Sequence, residues 1–156
     1  MLDIDRIKSD LAHALRRGCS ERSCTLTLQR LGKHVVLNGE KILQDRQDRR
    51  SPMCDCIIFV TDGSIIVGIV ELKSKTADPG QIERKLTNSS RIALDIVERY
   101  TDSRMKIRFY HLVLCKRWRP IEYRAITSKR IKVRGSEERY SIIARRCGIA
   151  FSNVIS

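Results

Sequence analysis

Apolar and polar positions along the chain change period several times, and those changes divide it into elements. Over residues 4–15, Ile4, Ile7, Leu11, Ala14 and Leu15 recur at helical spacing, with Arg16 and Arg17 before Gly18 as a stop. An amphipathic helix is predicted there. Over residues 24–37 the alternation Thr25, Leu26, Thr27, Leu28 predicts extended structure, with a break at Gly32. Residues 39–50 are highly charged and read as a surface connection with one helical turn over 41–45.

The centre has the clearest pattern. Residues 54–60 are an apolar run interrupted only by Asp55, and residues 65–72 are a second, nearly continuous β-branched run. Between them lies Thr61-Asp62-Gly63-Ser64, in which Asp-Gly supplies the positive φ of a tight hairpin. Two such strands predict an antiparallel hairpin buried on both faces. After Asp78-Pro79-Gly80, residues 81–100 turn helical through Ile82, Leu86, Ile92, Leu94, Ile96 and Val97, around a polar middle of Asn88, Ser89 and Ser90. Residues 105–115 read as another buried strand with Ile107, Phe109, His111, Val113 and Cys115 on one face. The tail predicts a second hairpin, pairing 125–133 with 140–146 around Arg134-Gly135-Ser136-Glu137. The order is mixed α/β around one central sheet, and 156 residues suit a single domain, 1–156.

Composition narrows the class. No apolar run approaches the roughly 20 residues that span a bilayer; the longest, 57–70, is broken by the hairpin turn. Residues 1–8 carry two aspartates and no apolar h-region, so no signal peptide is expected and the chain reads as cytoplasmic. Six irregularly spaced cysteines, with no CxxC pair, are then expected as reduced thiols, mostly small core residues. Thirty-one Lys and Arg against eighteen Asp and Glu leave a formal charge of +13. A small domain this cationic attracts polyanions, and phosphate backbones are its natural partner through counterion release. A membrane surface is not expected as partner, because no basic amphipathic helix carries an aromatic face.

Three residues of the central hairpin carry chemistry. Asp55 begins the first strand; Glu71 and Lys73 end the second, two residues apart and so on one face of the pleat. Closing the loop at Asp62-Gly63 brings Asp55 opposite Val70 and Glu71, so two carboxylates and an ammonium converge at one end of a ribbon. Charges inside a buried hairpin are costly unless paired or metal-bound. The plain alternative is a structural salt bridge, or strand ends emerging into solvent.

Asp55, a fifteen-residue gap, then Glu71-Leu72-Lys73 resembles the PD-(D/E)XK nuclease superfamily, with Pro52 three residues before the aspartate instead of adjacent to it. The resemblance covers about residues 54–100. It implies a restriction-endonuclease-like mixed central sheet flanked by helices. It also implies a metal-dependent nuclease in which Asp55 and Glu71 hold Mg²⁺ (or Mn²⁺) and Lys73 assists the attacking water. Gln81 matches the glutamine that completes the metal shell or contacts phosphate in the exonuclease-like branch; Lys85 stands where that branch has a tyrosine. Glu40 and Asp10 are candidates for a further upstream acid.

DNA is the expected substrate. Small, very basic members resemble archaeal Holliday-junction resolvases, which implies a homodimer; restriction-like, repair and defence nucleases are equally compatible with these residues. His13, His34 and His111 have no metal-ligand spacing and are read as packed or surface side chains. Trp118, between Arg117 and Arg119, either caps the core or stacks on a base. A non-catalytic nucleic-acid-binding module that keeps the nuclease fold is the alternative function, and an interaction protein for an acidic partner is a third.

Overall fold

The computed structural model describes residues 1–43, 51–73, 78–102 and 104–155. The chain runs α1 (Ile4–Asp10), a 3₁₀ turn (Ala12–Ala14), β1 (Leu15–Arg16), β2 (Cys19–Glu21), β3 (Cys24–Leu26), β4 (Lys33–Asn38) and α2 (Gly39–Ile42). It continues with β5 (Cys56–Asp62), β6 (Ser64–Lys73), α3 (Pro79–Tyr100), β7 (Ile107–Cys115), α4 (Pro120–Thr127), β8 (Arg130–Ile131), β9 (Tyr140–Arg146) and α5 (Phe151–Ile155). The architecture is α/β. A seven-stranded sheet in the order β1-β4-β5-β6-β7-β9-β8 is flanked by helices, and β2 and β3 pair as a separate ribbon. Strands β1, β4, β5 and β6 are antiparallel neighbours, whereas β6, β7 and β9 run parallel. Among the described residues no helix is long and apolar enough to cross a membrane.

The predicted central hairpin forms, with Gly63 at φ 70° and Asp62 in register with Ser64. This register differs by one from a two-residue Asp62-Gly63 loop, and it sets Cys56 opposite Val70. Alternation then divides the sheet into two faces. Ile57, Phe59, Val67, Ile69 and Val113 lie against α3. Cys56, Ile58, Val70, Leu72 and Leu114 lie against β2–β3 and α5, where Phe151 packs so closely on Gly68 that a Cβ there would collide with its ring.

Helix α3 starts at Asp78, whose side chain caps the Gln81 N–H, with Pro79 at the first helical position. It buries Ile82, Leu86, Ile92, Ala93, Ile96 and Val97 on the sheet; each large aliphatic side chain so buried contributes about 1.5–3 kcal/mol. The polar middle fastens the chain leading into β5. Asn88 Nδ2 donates to the Pro52 carbonyl at 3.2 Å and the Cys54 N–H donates to Ser89 Oγ at 2.9 Å.

Several expectations are corrected. The N-terminal helix ends at Asp10, and Leu15 and Arg16 pair with Leu37 and Val36 instead. A sheet edge offering backbone hydrogen bonds outweighs the helical period there, and Leu15, counted as core, is exposed. The second hairpin shrinks to two pairs, Arg130–Ser141 and Ile131–Tyr140, because residues 125–127 belong to α4. Pro120 opens that helix at its first position and Ile126 anchors it. Of the helical turn expected over 41–45, residues 41 and 42 fall in α2, which begins earlier at Gly39, and residues 44 and 45 lie outside the described ones.

The cysteines differ most. Cys19 is disulfide-bonded to Cys56 (Cα–Cα 6.0 Å) and Cys24 to Cys147 (Cα–Cα 5.0 Å). Cys54 and Cys115 stay as thiols, both buried. The β2–β3 ribbon folds over a face of the sheet and meets partners 37 and 123 residues away, a juxtaposition that spacing along the chain does not show.

Candidate active site

The open end of the β5–β6 hairpin holds the acids. The Asp55 N–H donates to the Val70 carbonyl at 3.1 Å, extending the ladder one step beyond Cys56 and setting Asp55 beside Glu71. Asp55 Oδ2 accepts the Leu72 N–H at 2.7 Å. The Asp55 carbonyl is held on its other side by the Gly39 N–H (3.3 Å) and Arg16 Nη1 (3.2 Å). Gly39 allows this approach, since a Cβ there would run into the Cys54 carbonyl oxygen. Aspartate, flanking backbone and α2 therefore form one rigid corner.

Glu71 is 1% exposed. Its Oε2 receives two ammoniums, Lys73 Nζ at 3.1 Å and Lys85 Nζ at 2.8 Å, while Oε1 is buried without a partner. Lys73 and Lys85 are 22% and 20% exposed, so both reach inward from the rim. A buried, bare carboxylate oxygen is destabilising by roughly 1–3 kcal/mol or more, which marks Oε1 as a position that a cation or a proton would satisfy.

The electrostatics follow from this crowding. Burial, then repulsion by Glu71, push the Asp55 carboxyl up to about 7, against the Leu72 N–H that favours its charged form. Glu21 adds a smaller push in the same direction. Burial opposes the charge of Lys85, but its hydrogen bond and attraction to Glu71, with Asp55 behind, raise its pKa above the ordinary lysine value. The Cys54 thiol next door rises to about 12, chiefly through burial, and is an inert neighbour. The Asp55 carboxyl is thus held near neutrality beside a buried glutamate that two ammoniums face, an arrangement typical of functional sites.

The structure brings Asp55, Glu71 and Lys73 together, as the hairpin pattern predicts. Gln81 is exposed in the first turn of α3 and shares a helix face with Lys85, four residues on. Glu40 stays at the surface, one residue beyond Gly39. Asp10 lies elsewhere: it binds Arg6 and the Tyr100 hydroxyl, about 20 Å along α3 from Lys85.

Two groups escaped the sequence reading. Lys85 showed only as the residue standing where a tyrosine was expected. Glu21 lies on a ribbon whose placement the sequence does not reveal, and it reaches the Asp55 corner through Arg16, which pairs with it at 3.5 Å.

A second buried polar pair sits deeper under α3. Ser90 Oγ donates to the Leu86 carbonyl and lies 2.6 Å from His111 Nε2. The Nε2–H therefore donates to the hydroxyl oxygen, and Nδ1 has no partner among the described residues. Burial lowers the His111 pKa to about 3, so the ring is neutral. The other two histidines lie nearer the surface, in keeping with their sequence reading.

Among the described residues no group of three or more His, Cys, Asp or Glu side chains is arranged to hold a metal ion. No protein-family model, curated protein or solved structure matches the chain.

Proposed function

We propose that this chain is a metal-dependent nuclease of the restriction-endonuclease-like PD-(D/E)XK kind, hydrolysing phosphodiester bonds of DNA. The observation that carries the reading is the meeting of Asp55, Glu71 and Lys73 on the α3 face at one end of the hairpin, with Glu71 Oε1 buried and unpartnered. The donor set suits Mg²⁺ or Mn²⁺, hard cations that need only one or two carboxylates when phosphate and water complete the shell. Asp55 and Glu71 would hold the ion, which when bound supplies an acidified water and offsets charge on the phosphate.

The protein's own groups do the rest. The Leu72 N–H and the Asp55 backbone contacts fix the aspartate, so its carboxylate needs little reorganisation on binding. Lys73 lies at the rim, where its ammonium orients a water or meets the non-bridging phosphate oxygens. Lys85 holds Glu71 in place, and Gln81, one turn nearer the helix start, contacts the phosphate. The charge of +13 draws the polyanion in.

A cytoplasmic address belongs to this reading as well. Two disulfides are compatible with such an address only in the way that intracellular proteins of hyperthermophiles retain theirs.

One observation favours the alternative of a non-catalytic nucleic-acid-binding module. Two lysines already neutralise Glu71 Oε2, and no three-ligand cluster stands among the described residues.

Incubation with single-stranded, duplex and branched DNA and with RNA, in Mg²⁺ or Mn²⁺, decides between them. Wild type is expected to cut DNA, whereas Asp55→Ala and Lys73→Ala bind without cutting. Equal cleavage by all three proteins, or salt-sensitive binding with no cleavage by wild type, refutes the nuclease.

A further inference from the structure

Parallel strands β6, β7 and β9 all end at the same edge of the sheet, with Lys73 in register with Cys115 and Cys115 with Arg146. Ligands of open α/β sheets bind outside such carboxyl ends. The chain leaving β7 at this edge reads Lys116-Arg117-Trp118-Arg119-Pro120-Ile121 and enters α4. Just beyond the end of that helix, Lys129 pairs with Glu83 in the first turns of α3 at 3.8 Å, beside the turn that carries Lys85. The segment and the carboxylates therefore share one end of the molecule.

Trp118 is half-buried against the core, and its indole N–H donates to the Arg145 carbonyl at 2.7 Å. Its ring meets Tyr123 edge to face, with centroids 5.9 Å apart. Ile121 is 81% exposed and Tyr123 42% exposed. Among the described residues the other exposed large apolar side chains are Met1 and Leu15, so two of four cluster beside the tryptophan. Lys116, Arg117, Arg119, Arg124, Arg145 and Arg146 surround them, all exposed. The one acid on the segment, Glu122, pairs with Arg119 at 3.6 Å.

An apolar and aromatic surface ringed by cations suits bases above and phosphates around. A duplex hides its base faces in the stack, so the strand that fits is unpaired. The indole N–H is committed to the Arg145 carbonyl, so Trp118 offers a base stacking and no hydrogen bond; the choice of DNA over RNA follows the nuclease reading.

We propose that Trp118, Ile121 and Tyr123 form a stacking platform for unpaired bases of single-stranded DNA, delivering that strand to the Asp55–Glu71 end of the sheet. The inference rests on the nuclease reading for its purpose, but its test does not need cleavage.

Trp118 is the sole tryptophan of the chain, so its emission reports directly on the platform. Wild-type protein, with a chelator present so that nothing is cut, is titrated with oligo(dT) of about 16 nucleotides, blunt duplex, oligo(rU) and polyglutamate. Oligo(dT) is expected to quench the emission and to bind about tenfold more tightly than the other three. The double variant Ile121→Ala/Tyr123→Ala, whose side chains are exposed, is expected to keep its melting temperature and lose about tenfold in oligo(dT) affinity.

Equal quenching by duplex, oligo(rU) or polyglutamate, or unchanged oligo(dT) affinity in the variant, overturns the platform. Quenching by oligo(dT) from a protein that cuts nothing in Mg²⁺ supports the platform and refutes the nuclease. Cleavage without quenching refutes the platform alone.

Discussion

Two polar clusters lie under the same helix on the same face of the sheet, and the fold treats them in opposite ways. His111 sits mid-strand with Ser90 as its polar partner, and burial strips it of charge, lowering its pKa to about 3. Asp55 and Glu71 sit where the strands end, flanked by Lys73 and Lys85 at the rim. Burial and mutual repulsion there raise the Asp55 carboxyl to about 7. Burial alone silences a titratable group. Burial beside a like charge at the strand ends instead brings the Asp55 carboxyl to about 7. The first cluster is closed packing, and the second is the one proposed to meet a ligand.

The sharpest way to break this contrast is by activity. Lys73→Ala is expected to lower the cleavage rate by roughly 10²–10⁴-fold, whereas His111→Phe leaves it within a few-fold. A His111 variant as crippled as the Lys73 variant would put both clusters in the same machinery.

Stability against pH separates the clusters by sign. The folded pKa of His111 lies below its unfolded value of 6.5, so its contribution is present above 6.5 and is lost as pH falls toward 3. That loss is up to about 5 kcal/mol. Urea unfolding across this range is expected to show a steep acid slope in wild type and a flatter one in His111→Phe.

Asp55 acts the other way. Its folded pKa is raised, so its contribution is full below the ordinary aspartate value of 3.8 and is lost as pH rises through about 7. Asp55→Asn is therefore expected to be more stable than wild type above neutrality, by about 2 kcal/mol after allowing for partial solvent screening. The difference should vanish below the ordinary aspartate range. A variant less stable than wild type at high pH would mean that Asp55 is a structural ion-pair partner.

The smallest effects refine the edge cluster. Lys85→Met is expected to cost on the order of tenfold in activity, because Glu71 keeps only Lys73. Gln81→Ala is expected to cost a few-fold, read in the same cleavage assay. A larger loss at Gln81 than at Lys85 would reverse their assigned roles.

Legibility in the sequence follows how local each signal is. The hairpin's two apolar runs around Asp-Gly are confined to adjacent residues, and the alternation of side chains sets Glu71 and Lys73 on one face. The repeat from Ile82 to Val97 marked α3 just as directly, and its polar middle was visible although its bonds to Pro52 and Cys54 were not. Lys85 carried no mark, because one lysine on a polar helix face looks like any other until a buried glutamate is placed beneath it. Leu15 and Arg16 continued a helical period, yet an open sheet edge claimed them.

The amino-acid order alone determined the central hairpin, the long helix behind it and the positive charge of the whole, because each depends on neighbouring residues or on a sum. The tertiary structure decided the partners of the cysteines, the second lysine on Glu71, the approach of Arg16 and Glu21 to the Asp55 corner, and the shared edge that places Trp118 near the acids. Those are contacts between segments tens of residues apart. Long-range packing energy selects such contacts, and no local period records it.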